Sequence, residues 1–252
     1  MTRIILHGCS GAMGRVIAGL AKEEPALAIA AGIDVREGAG QDFPVYASLE
    51  ECREEADVIV DFSSAQAVDG LLDYCFQSGL PLVLCTTGLS QEQLERVKEL
   101  SRRSAVLRSA NMSLGVNLLL KLVKEGARVL AASGFDMEIV EKHHSRKTDA
   151  PSGTALALAD AANEAMDGAY HYMFDRSGLS RPRDPKEIGI SAVRGGTIVG
   201  DHDVIFAGTD EVVTLSHRAY SKVVFAKGAL AAAEFLAGKG PGLYDMADVI
   251  GL

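Results

Sequence analysis

The run "EKHHSRKTDAPSGT" at residues 141–154 gathers Glu141, Lys142, His143, His144, Arg146 and Lys147, then follows them with Pro151, Ser152, Gly153 and Thr154. An imidazole, with an unperturbed pKa of about 6.5, donates protons readily near neutrality, whereas a lysine ammonium at about 10.4 does so only when its neighbours depress it. A fixed cation can also stabilise negative charge as it develops. Adjacent strand residues point to opposite faces, so His143 and His144 can serve one ligand only if a strand ends between or just after them. The polar residues 145–149 read as such a loop, and His143, His144 and Lys147 can then converge. Ser152, Gly153 and Thr154 open an Ala-rich helical pattern, where unpaired amides, the positive end of the dipole and two hydroxyls make an anion site. Capping by Ser152 accounts for the serine but not for the nearby cations. The segment therefore reads as a pocket for an anion such as a carboxylate; a charged surface turn is the plain alternative.

A second motif lies at the amino terminus. "RIILHGCSGAMGR" sets Gly8, Gly11 and Gly14 between a strand-like run and a helical one. This G-x-x-G-x-x-G spacing is a variant of the dinucleotide fingerprint, in which small residues let backbone amides approach a pyrophosphate. Arg15 could add a phosphate contact. The next apolar run ends at Asp34, where a carboxylate can accept hydrogen bonds from adenosine ribose hydroxyls and repel a 2′-phosphate. Asp34 thus favours NAD, while Arg36 keeps NADP open. "CTTG" at 85–88 and "SANMS" at 109–113 end later strands, on the carboxyl edge where such sheets bind ligands.

These residues need elements to position them. "RIILH", "LAIAAGI", "DVIVDF", "LVLCTT" and "AVLRSA" are nearly continuous apolar runs separated by helical patterns, which implies a doubly wound, Rossmann-like parallel sheet covered on both faces. After Asn111 a helical stretch precedes "FDMEIVEKHH", and three strand-like runs from "IGISAVRGG" to "DEVVTLSHRAYS" follow one another without helices. They predict a second α+β domain with an open mixed sheet. The expected division is residues 1–112 with 222–252 for dinucleotide binding, and residues 113–221 for substrate binding and oligomerisation.

The chain has 252 residues, 48% of them hydrophobic, and a net charge of -9, which argues against a general nucleic-acid binder because such affinity rests on Lys and Arg. Cys9, Cys52, Cys75 and Cys85 show no metal-ligand or disulfide spacing, so no metal is expected. Neither an export signal nor a membrane span is read, and reduced thiols suit a cytoplasmic location.

The run at 141–154 resembles the E-x-H-H-x-x-K-x-D-x-P-S-G-T-A signature of the 4-hydroxy-tetrahydrodipicolinate reductase family, enzymes of the diaminopimelate and lysine pathway. "GCSGAMGR", "CTTG", "ANMSLGVNLLLKL" and "SAVRGGTIVGDHDVIFAG" extend the likeness over essentially the whole chain. The resemblance implies NAD(P)H-dependent reduction of the pathway heterocycle, with His143 as proton donor or acceptor and Lys147 as proton donor. It makes His144, Gly153 and Thr154 substrate ligands, beside Ser152 of the same helix start. It lays the cofactor against Gly8, Cys9, Ser10, Gly11, Ala12, Met13, Asp34, Cys85, Thr86, Thr87, Ser109, Ala110, Asn111 and Met112. It also implies a small dicarboxylate substrate and a homotetramer built through the second sheet. Two positions depart from the family: Cys85 replaces a usual Gly, and Val35 stands where members favouring NADPH commonly carry Arg. The second points to NADH being used at least as well as NADPH. The alternatives are another nicotinamide-dependent reductase or amine dehydrogenase of the same plan, or a non-catalytic NADH sensor. A sensor would need a DNA-binding module, and no basic helix-turn-helix pattern precedes the glycine loop.

Overall fold

The computed structural model describes residues 1–36, 41–109 and 111–251. In the first part of the chain, strands and helices alternate: β1 (Thr2–His7), α1 (Ala12–Ala21), β2 (Leu27–Ile33), β3 (Val45–Tyr46), β4 (Val58–Asp61), α2 (Val68–Ser78), β5 (Leu82–Leu84), α3 (Gln91–Leu100) and β6 (Ala105–Arg108). There follow α4 (Leu114–Leu130), β7 (Asp136–His143), α5 (Gly153–Glu164), β8 (His171–Met173), β9 (Glu187–Arg194), β10 (Gly200–Ala207) and β11 (Val212–Ala219). The chain closes with α6 (Val223–Leu236), β12 (Gly242–Tyr244) and α7 (Met246–Val249). Two units result: Met1–Ser113 with Val223–Gly251, and Leu114–Lys222.

The first unit holds a seven-stranded sheet in the order β12-β6-β5-β4-β1-β2-β3, with every pairing parallel. Successive residues of a strand face opposite ways, so continuous apolar runs feed two cores. Ile4, Leu6, Val58 and Val60 join Ala226, Ala229 and Leu230 of α6, while Ile5, Ile59, Leu82 and Leu84 join Leu71, Leu72 and Val97 of α2 and α3. Each fully buried Ile, Leu or Val contributes about 1.5–3 kcal/mol. Small residues bring α6 close: a Cβ on Gly228 would lie 1.6 Å from the carbonyl oxygen of Met112. Strand order reverses at β1, with β2 and β3 on one side and β4, β5, β6 and β12 on the other. The carboxyl ends of β1 and β4 therefore flank the point at which such sheets bind ligands.

The second unit has a mixed sheet in the order β11-β10-β7-β9-β8; β7, β9 and β8 run parallel, and β10 and β11 pair antiparallel. Burial along β7 alternates strictly, with Met137, Ile139, Glu141 and His143 inward. Met137 and Ile139 pack with Leu119 and Val123 of α4, Leu158 and Ala159 of α5, and Phe206 of β10. The strand register that fills this core thus also carries Glu141 and His143 to its edge. Both sheets are of the expected kinds. The short strands β3, β8 and β12 were not expected, because two or three residues carry no readable period. Among the described residues, no helix is long and apolar enough to cross a membrane.

Candidate active site

β7 ends at His143, so the two histidines separate. His143 stays on the buried face at 8% exposure, and His144 enters the loop. The His143 Nδ1 lies 2.5 Å from Glu141 Oε2, and Glu141 has no exposed surface. Arg194, opposite His143 on β9, grips the same carboxylate with two hydrogen bonds of 2.8 and 2.7 Å. The Ser152 N–H donates to Glu141 Oε1 at 2.9 Å. Burial pushes the Glu141 carboxyl up, but the hydrogen bonds from Arg194, His143 and Ser152 outweigh it and hold the group below the usual carboxylate range.

Ser152 is turned inward at 2% exposure. Its hydroxyl accepts from the Ala155 N–H at 3.2 Å, capping α5, and is hydrogen-bonded to His202 Nε2 at 3.1 Å. Ser152 thus caps α5, with both its amide and its hydroxyl engaged within the protein. Gly153 and Thr154 begin the helix, the first exposed and the second partly so. The His202 ring meets that of His143 edge-on at 5.1 Å. Burial and the adjacent His143 bring His202 down to about 4, so it is neutral at physiological pH. Lys142 points to the other face of the sheet and pairs with Asp203 at 2.8 Å, which removes it from the cluster.

The loop after β7 lies against the β9–β10 connection through Ser145 N–H to the Gly196 carbonyl at 3.3 Å. Between them is a hollow of about 360 Å³ lined by His144, Ser145, Arg146, Gly196, Thr197, Val199 and Lys222. Its charged side chains are cations, and His144 Nδ1 is buried without a partner among the described residues. The Lys147 ammonium is held by Asp149 at 2.8 Å and depresses that carboxyl. Lys147 is close enough to His202 to help lower it. Glu141, Arg194, His202 and Lys222 were not read from the sequence as site residues. Alternation was the available signal for two of them: Glu141 follows Met137 and Ile139 on one face, and His202 precedes Val204 and Phe206 on another.

In the first unit, Gly8 has φ +82°, and a Cβ there would stand 2.6 Å from the Phe62 carbonyl oxygen. A Cβ on Gly14 would stand 2.3 Å from the Gly8 carbonyl oxygen. The turn and the start of α1 therefore close up only because these positions are glycine. Asp34 accepts from the Ser10 N–H at 2.9 Å and from the Arg36 N–H at 3.0 Å. Around it lie a hollow of about 290 Å³ lined by His7, Gly8, Gly11, Asp34, Arg36, Phe62 and Ser63 among others, and a second of about 360 Å³ between Asp34 and Tyr46. Together they reach the usual range of ligand pockets, about 300–1,000 Å³. His7 was not foreseen; its Nδ1 lies 2.8 Å from the fully buried Asp61, which also accepts from the Ser63 hydroxyl at 2.6 Å. Cys9 is buried, Ala12 exposed and Met13 partly buried. Past β5, burial drives the Cys85 thiol well up, Thr86 Oγ1 is buried without a partner among the described residues, and Thr87 is exposed. Past β6, the Ser109 hydroxyl donates to the Asn111 carbonyl at 2.9 Å and Met112 is buried; Ala110 lies outside the described residues. A cradle that any Cβ would fill and an orphaned threonine hydroxyl fit a nicotinamide dinucleotide.

What this fold and these sites define is a dinucleotide-binding oxidoreductase of the α/β type. Comparison makes the class particular: the chain belongs to the dihydrodipicolinate reductase family, its residues 2–112 matching the family's N-terminus and 115–250 its C-terminus. A 4-hydroxy-tetrahydrodipicolinate reductase of Caldanaerobacter subterraneus subsp. tengcongensis is 54% identical over 250 residues, covering 99% of this chain and 98% of the relative. One of Clostridium novyi is 46% identical with the same coverage. The solved structure of a dipicolinate-bound dihydrodipicolinate reductase from Paenisporosarcina sp. TG-14 has a TM-score of 0.83 at 24% identity, over 99% of each chain.

Proposed function

We propose that the chain catalyses NAD(P)H-dependent reduction of 4-hydroxy-tetrahydrodipicolinate to tetrahydrodipicolinate in diaminopimelate and lysine biosynthesis. The observation that carries this reading is the buried His143 beside a loop whose hollow presents Arg146, Lys222 and His144. The Arg146 and Lys222 cations suit a carboxylate, and the amide-rich start of α5 at Gly153 and Thr154 suits a second one. The dipicolinate bound to the Paenisporosarcina relative is a dicarboxylate of the same shape class. When bound, the reduced nicotinamide supplies hydride. The 4-hydroxyl leaves as water, and the negative charge that hydride brings to the unsaturated ring is met by a proton from His143, with Lys147 acting as a fixed cation. The four free thiols suit a reducing cytoplasm. The test is an assay with the condensation product of pyruvate and aspartate semialdehyde, following nicotinamide absorbance. Absence of turnover overturns the proposal.

Run with both cofactors, the same assay tests preference. NADH is expected to be used at least as well as NADPH, because Asp34 presents a carboxylate to the pocket and Val35 beside it is 91% exposed and uncharged. Asp34→Ala should weaken NADH much more than NADPH. An NADPH advantage above about tenfold, about 1.4 kcal/mol, contradicts this.

Assembly is expected to be a homotetramer through the second sheet. The face turned away from α4 and α5 carries Val193 and Val212, at 45% and 62% exposure, and among the described residues the edge strands β8 and β11 are unpaired on one side. Light scattering should report four copies. A stable monomer at micromolar concentration rules the arrangement out.

A further inference from the structure

We infer that Glu141 is the positioning residue of the proton-donating site, binding the His143 ring through Nδ1 so that Nε2 is the nitrogen that gives up the proton. The inference rests on the proposed role of His143. A carboxylate with no exposed surface on the apolar face of a strand costs several kcal/mol unless it is paired and hydrogen-bonded. Here all four acceptor positions are filled: Oε2 by His143 Nδ1 and Arg194, Oε1 by the Ser152 N–H and Arg194. A saturated acceptor fixes the tautomer of the imidazole, whose Nδ1 must carry hydrogen in both the charged and the neutral ring. Nε2 has no hydrogen-bond partner among the described residues, and it abuts Gly200, where a Cβ would lie 3.0 Å away. A side chain at position 200 would therefore crowd Nε2.

The same carboxylate reaches the rest of the site. Through the Ser152 amide it holds the start of α5, and through Arg194, which also donates to the Asp149 carbonyl at 2.6 Å, it holds the loop that carries Lys147. Glu141 therefore sets the proton donor and the anion-holding helix start in one frame. Around His143 stand Glu141 on β7, Arg194 on β9, His202 on β10 and, beyond it, His217 on β11, with His144, Lys147 and Asp149 in the loop. Of these, Glu141 is the one whose negative charge is in direct contact with the ring.

The test uses the full chain. Glu141→Gln keeps the shape but cannot accept from all four donors, and it removes the charge that favours the imidazolium. Turnover should fall about 10- to 100-fold with substrate KM changed less than about threefold, and the alkaline fall-off of kcat should move to lower pH by about one unit or more. Glu141→Asp, which retains the charge, should recover the pH profile in part. In a His143→Gln background, Glu141→Gln should add little further loss. Equal losses in both backgrounds, or an unmoved pH profile, overturn the inference. If Glu141→Gln does not fold, 15N-histidine NMR of the unaltered chain decides: neutral His143 should be the Nδ1–H tautomer, and the Nε2–H tautomer overturns the inference. Unchanged turnover in His143→Gln alone would instead sink the proposed role of His143.

Discussion

Replacing His143 by Gln should lower turnover by about a hundredfold or more, the usual scale of general acid catalysis, and leave substrate KM nearly unchanged. Gln can still hydrogen-bond to Glu141 but carries no titratable proton, so what disappears is the donor and not the frame around it. Glu141 keeps its bonds to Arg194 and Ser152, and the stability cost should stay near that of one buried hydrogen bond, about 1–3 kcal/mol. Thr154→Ala supplies the contrast. It removes an interaction shared by ground and transition states at the start of α5, so KM should rise with a smaller change in turnover. Steady-state kinetics of the two variants separates the roles. Near-normal kinetics in both would leave the buried His143 and the start of α5 with a structural role only.

Gly8→Ala should weaken NADH binding by at least about tenfold, or about 1.4 kcal/mol. At φ +82° an alanine is strained by about 1–2 kcal/mol, and its Cβ would stand 2.6 Å from the carbonyl oxygen of Phe62 and 3.0 Å from the amide nitrogen of Ser63. Both are backbone atoms beyond β4, so no side chain can swing aside. The loop must move off the switch point, and the cradle widens. The melting temperature should fall by several degrees, at about 2–4 °C per kcal/mol for a domain of this size. Gly19→Ala is the control: it lies on the exposed side of α1 with nothing within 4 Å of the added Cβ. It should leave affinity intact and stabilise the helix slightly. Fluorescence titration with NADH reads the binding, and equal affinity in Gly8→Ala and the unaltered chain contradicts the account.

The long elements were legible because burial imposes a period. β1, β4 and β6 are apolar through their buried middles, from Ile4 to Leu6, Val58 to Val60 and Ala105 to Leu107, and β7 and β10 alternate without a break. The histidines, Lys147 and the helix start were legible because their types and spacing are unusual side by side. What escaped is pairing across the fold. Nothing near Glu141 in the chain announces Arg194 or His202, since strand register brings them together over more than fifty positions. The bond of the Ser152 hydroxyl to His202 escaped for the same reason, since a local reading of Pro-Ser-Gly-Thr cannot see it.

The discontinuity of the first unit bears on how the chain is made. Its core beneath α1 and α6 runs from Ile4 to Met246, yet Ala226, Ala229 and Leu230 leave the ribosome only after the whole second unit has been synthesised. At about 5–20 residues per second, the nascent β1 and β4 wait roughly ten to forty seconds for the helix that covers them. During that interval the part of that face that α6 will cover is exposed apolar surface, a natural client for a holding chaperone. A premature stop shortly before α6 would accordingly leave the first unit without the helix that completes its core.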